Sequence, residues 1–93
     1  MAHPLISYTL NANGQSTGMI DVDYTETAIG LIITGTITAT LQRSLDEGVN
    51  WVTVSTHTAS TIVNVAGPGE YRVSSSAVTG GTCVVQILRA RAR

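Results

Sequence analysis

Thr36-Ile37-Thr38-Ala39-Thr40-Leu41-Gln42-Arg43 alternates polar and apolar residues with a period of two. A β-strand sends successive side chains to opposite faces, so this stretch reads as a strand. Ile37, Ala39 and Leu41 form its core face, and the threonines and Gln42 form the other. Outward from it, threonine, valine and isoleucine dominate, residues that favour a pleated, half-buried backbone. Seven further runs have the same character: Leu5–Leu10, Thr17–Tyr24, Ile29–Ile33, Trp51–Thr56, Thr61–Val65, Glu70–Ala77 and Thr82–Arg91. Turn-formers separate several of them. Asn11-Ala12-Asn13-Gly14, Gly35, Ala66-Gly67-Pro68-Gly69 and Thr79-Gly80-Gly81 tolerate positive φ or lack a ladder N–H. No segment has sustained helical spacing. The expected fold is all-β: one antiparallel β-sandwich of about eight short strands, with Ig-like or jelly-roll wiring. It forms a single domain over residues 1–93, with both termini as candidate assembly arms.

The composition narrows the function. Only 12% of the residues are charged, the chain has no lysine and no phenylalanine, and its net charge is −1. Mean hydropathy is +0.23. A typical soluble domain carries roughly 25% charged residues. A surface so poor in charge suits a protein pressed against partners, although a neutral Thr-rich β-protein has the same composition. The charge balance excludes a strongly basic nucleic-acid binder. The longest apolar run, Ala28 to Ile33, is far short of the ~20 residues of a membrane span. The N-terminus lacks the basic and apolar blocks of a secretion signal. Cys83 is the single cysteine, so it has no internal disulfide partner and reads as a small apolar strand residue.

Residues 44–51, Ser-Leu-Asp-Glu-Gly-Val-Asn-Trp, fit the spacing S-x-D-x-G-x-x-W. This resembles the Asp-box, a hairpin motif of sialidase propellers and many other β-proteins. The match rests on Ser44, Asp46, Gly48 and Trp51, and Asn50 stands where the motif usually has Thr. An Asp here folds its carboxylate onto backbone N–H groups. The Gly supplies an unusual backbone angle, and the Trp covers the turn. The resemblance implies a structural turn between the fourth and fifth runs, not a catalytic site.

A looser resemblance spans residues 41–88. Leu41 to Asp46, Trp51-Val52-Thr53-Val54, Pro68 to Val73, and Gly80-Gly81-Thr82 with a Val-rich last strand are similar to small β-sandwich proteins of tailed-phage virions. That family includes capsid decoration (cement) proteins. The resemblance implies a protein made in a host cytoplasm and resident in the virion. It would bind the major capsid protein or other virion proteins on the outer shell and stabilise the shell, often as a homotrimer. A tail or head-fibre component is the alternative within the same particle. A carbohydrate-binding β-sandwich module is the alternative outside it, although Tyr8, Tyr24, Trp51 and Tyr71 are the only aromatics available for stacking on sugars.

No catalytic constellation is readable. His3 and His57 have no motif context, and no serine sits in a G-x-S-x-G elbow. An enzyme is therefore not expected, nor is a cofactor. Asp21, Asp23 and Glu26 lack calcium-loop spacing, so no metal site is expected either. Asp21 and Asp23 share one strand face, and Arg89, Arg91 and Arg93 share another. The three arginines read as a solvated tail or as an arm that pairs with carboxylates on a neighbour. The guanidinium fork suits such pairing. These five residues are the candidate interface, with the loops at 11–16, 44–50 and 66–70 and both termini as further candidate contacts. Replacing Arg89, Arg91 and Arg93 together by Gln is expected to weaken assembly and reduce its dependence on salt, measured by sedimentation at rising ionic strength.

Overall fold

The computed structural model describes residues 5–22 and 26–89. The strands are β1 (Leu5–Leu10), β2 (Ile20–Val22), β3 (Thr27–Ser44), β4 (Val52–His57), β5 (Thr61–Val65) and β6 (Gly69–Arg89). All pairings are antiparallel and join into one hydrogen-bonded sheet. The all-β expectation holds at this level, and the eight separate strands do not. Runs 29–33 and 36–43 belong to one strand of 18 residues, and the runs on either side of Gly80-Gly81 belong to one of 21. Among the described residues of the second run, Ile20–Val22 are strand. Asp23 and Tyr24 lie outside the described residues, as do the two terminal arms at 1–4 and 90–93.

Gly35 and Gly80 bend the chain without breaking the ladder. Both have positive φ, at 74° and 67°, which a residue without Cβ adopts freely. Gly80 pairs with Thr36, the residue after Gly35, where the β3–β6 register shifts. The two strands pass through the irregularity together, so pairing resumes on its far side. Gly81 is needed for close approach, because a Cβ there would overlap the Thr36 carbonyl.

The bend is large. A straight strand of 18 residues would span roughly 60 Å at about 3.3 Å per residue. The longest extent of the molecule is 42 Å. The two ends of the β3–β6 ladder therefore approach each other. Val65 pairs with Thr27 at one end, Glu70 pairs with Ser44 at the other, and only Ala66–Gly69 separates them in sequence. Tyr71 Oη donates to the Ala66 carbonyl at 2.8 Å, and Arg43 Nη2 donates to the Pro68 carbonyl at 2.8 Å. These bonds tie that link to the β3–β6 end beside it.

Both halves of the ladder feed one core. Ile29, Leu31, Cys83, Val85 and Ile87 come from one half, and Ile37, Ala39, Leu41, Tyr71 and Val73 from the other. Leu10, Ile20, Val22 and Val65 complete it from the shorter strands. The buried side chains recur every second residue, as a sheet covered on one face requires. Buried Ser75 replaces a strand contact: its Oγ donates to the Ala12 carbonyl at 2.5 Å and accepts from Gln15 N at 3.2 Å. Thr17 N–H donates to the Val73 carbonyl, and Val73 N–H donates to Thr17 Oγ1. In this way 12–17 covers the β6 edge beyond β2.

Leu31 has 1% of its surface exposed, at the centre of this core. Leu31→Ala is expected to cost about 2–5 kcal/mol, read as a lower urea midpoint at unchanged slope.

Candidate interaction surface

The turn after β3 is organised by two side chains. Ser44 is buried, and its Oγ accepts from Gly48 N at 2.8 Å and donates to Asp46 Oδ1 at 2.7 Å. Asp46 Oδ1 also accepts the backbone N–H of Asn50 at 2.9 Å, and Oδ2 accepts Asn50 Nδ2 at 2.7 Å. Asn50, the departure from the motif, thus supplies two of the donors. Glu47 and Gly48 have φ of 60° and 89°. A Cβ on Gly48 would fall 2.8 Å from Met19 Sδ and 3.6 Å from the Trp51 ring, so the turn packs closely there. Trp51 lies one residue before β4. Its ring carries the Arg72 guanidinium at 4.3 Å, and Arg72 Nε donates to Gln42 Oε1 at 2.7 Å.

This turn lifts an apolar surface into solvent. Leu45 is 77% exposed and Val52 68% exposed, with Val49 and Val54 also exposed. Arg43, Leu45, Asp46, Asn50, Val52 and Val54 line a depression of about 380 Å³. Arg43 joins this lining to Tyr71. The guanidinium lies 5.5 Å from the Tyr71 ring, and its buried Nε has no hydrogen-bond partner. The 44–50 loop, already a candidate contact site in the sequence, holds Leu45 and Val49, whereas Arg43, Val52 and Val54 on the flanking strands were not anticipated. The available signal was apolar residues at both flanks of a polar turn, and the strand period alone does not tell which face of β4 meets the core.

The sequence-derived interface residues are placed differently. Asp21 lies exposed on β2, directly opposite Glu70. Loss of hydration, together with the Asp21 carboxylate and then Glu47, pushes the Glu70 carboxyl above its ordinary value. Asp21 thus belongs to a group of carboxylates. Arg89 ends β6, paired with Thr27. Asp23, Arg91 and Arg93 lie outside the described residues. Cys83 is fully buried between Leu10 and Ile33 in register, and burial pushes its thiol up, away from the reactive thiolate. His57 Nε2 and Ser55 Oγ lie 2.8 Å apart on β4.

No protein-family model matches the chain, and no curated protein matches it. Among solved structures it is similar to that of Drosophila melanogaster CENP-C bound to CAL1, with 12% identity and a TM-score of 0.58. The likeness covers 92% of this chain and 63% of that one. At this identity it is a likeness of fold alone.

The Asp46 carboxyl is held down to about 2, from an ordinary 3.8, chiefly by the Asn50 backbone N–H, then by the Asn50 and Ser44 side chains. A carboxyl depressed on folding contributes stability that is complete above its unfolded value and lost as pH falls through the folded one. Asp46→Asn is therefore expected to melt below wild type at pH 5. The gap should close between about pH 4 and pH 2, as followed by thermal melts across pH.

Proposed function

We propose that this chain is a non-catalytic assembly module with a jelly-roll β-sandwich fold, present in many copies in a tailed-phage virion as a capsid decoration protein. The fold part of this reading counts each half of the bent ladder as its own strand. One layer is then β1–β6–β3–β5 and the other β2–β6–β3–β4, eight segments in all. The pairing order, the shared core and the approach of the ladder ends support it.

The observation that carries the functional reading is the exposed apolar surface at Leu45, Val49, Val52 and Val54. Four aliphatic side chains held in water by a rigid turn, in a chain with 12% charge, suit a permanent partner surface. The Ser44–Asp46–Asn50 bonds fix the turn, so little ordering cost remains on docking. The partner is the outer face of the major capsid protein, or another virion protein. The virion assignment rests on the resemblance over residues 41–88. The glycan-binding reading is weaker, because stacking on a sugar needs a free aromatic face and Arg72 occupies one face of Trp51.

Virions from a lysate of the source should sediment with this protein in numbers comparable to the shell subunits. A few copies per particle would shift the reading to a tail or fibre part, and none would end it. Val52→Asp with Val54→Asp is expected to lower shell occupancy by about tenfold or more. The melting temperature should be nearly unchanged, because both side chains are exposed.

A further inference from the structure

We infer that two copies of this chain associate through the free edge of β5, pairing antiparallel about a two-fold axis at Val63. The inference rests on the assembly reading and names the surface by which copies meet.

An edge strand offers unpaired N–H and C=O groups, and proteins blunt such edges with charge, proline, bulges or very short strands. The described sheet has four edge strands, and two carry such a device. β2 has three residues, one of them Asp21. β4 carries a bulge in its register to β3. β1 is regular and uncharged like β5, but it turns the polar Ser7 and Thr9 to the outside, so a strand added there would cover less apolar surface. Among the described residues β5 has no such protection. Its register to β3 is regular over five pairs, and it contains no charge and no proline. Residues 48–69 contain no Asp, Glu, Lys or Arg at all.

The outer face beside β5 is apolar. Ile62 is 70% exposed, and Ile32 and Leu88 are exposed on the same face. Gly30, Ile32, Ser60, Thr61, Ile62 and Gln86 line a shallow depression there. A strand added at β5 would continue this surface and cover part of it.

A second copy fits better than a charged partner. Among the described residues the charges, at 21, 26, 43–47, 70–72 and 89, lie at the ends of the β3–β6 ladder, and none is on β5. A charged partner would find no counter-charge. A second copy brings no like charges together, and the sequence is self-complementary in the pleat. Pairing about Val63 sets Thr61 against Val65, Ile62 against Asn64 and Val63 against itself. Each pair shares a face, since the members differ by an even number of residues. The association is two-fold, so the unit is a dimer and not the trimer that the virion resemblance implies.

Sedimentation equilibrium at micromolar concentration tests this. Wild type is expected at twice the 9.7 kDa chain mass. I62K/N64K and I62E/N64E each place two like-charge pairs across the axis and are expected at one chain mass. Mixing them in equal amounts places two opposite-charge pairs there and is expected to restore the doubled mass. The substituted side chains are exposed, so unchanged thermal melts would show that all the variants fold. A wild type of one or three chain masses would overturn the inference, as would variants that keep the wild-type mass or a mixture that stays monomeric. Virion binding by I62K/N64K reads separately. Dimers that never bind shells would sink the decoration reading alone, and monomeric wild type on shells would sink this inference alone.

Discussion

The continuous β3–β6 ladder is the constraint on which the rest depends. Its backbone hydrogen bonds run from the Thr27–Arg89 pair to the Ser44–Glu70 pair, and every other strand attaches to one of these two. A ladder this long cannot stay straight in a small domain. It must bend, and it must do so without leaving buried N–H and C=O groups unpaired. Gly35 and Gly80 accept positive φ on facing strands, and Gly81 lets the Thr36 backbone come close. The bend brings two stretches of one apolar face into one core. Without it, Leu31 and Leu41 would face water and not each other's neighbours.

The bend also explains where the polar chemistry sits. Both ladder ends come together, and the charged residues cluster in sequence around those ends. Arg43 and Tyr71 reach the Ala66–Gly69 link there, Arg72 lies over Trp51, and Glu70 meets Asp21. The rest of the surface is left to threonine, serine and exposed aliphatics. Such a surface has little to repel a neighbour, which is consistent with an assembly role and with the uncharged edge at β5.

Much of this was legible before the structure. The alternation at 36–43 placed Ile37, Ala39 and Leu41 in the core, because a strand's faces follow from parity alone. The spacing of Ser44, Asp46, Gly48 and Trp51 located the hairpin turn, because its bonds are local. Asn50 looked like a defect in the motif and is a double donor to Asp46. Glycine was misread at 35 and 80–81: it permits a turn, and it equally permits a bend inside a paired strand. Only the partner strand distinguishes these, and that partner is about 45 residues away in sequence.

By itself the sequence determined the β class, the core-facing parity of runs 36–43 and 70–77, the local turn at 44–51 and the scarcity of charge. These follow from period, backbone tolerance and composition, all of them local. Only the tertiary structure decided that eight runs make six strands. It also put Asp21 beside Glu70, and left Leu45, Val49, Val52, Val54 and Ile62 in water. Those outcomes depend on which distant strand supplies the next hydrogen bond, and strand pairing is a non-local choice that residue type leaves open.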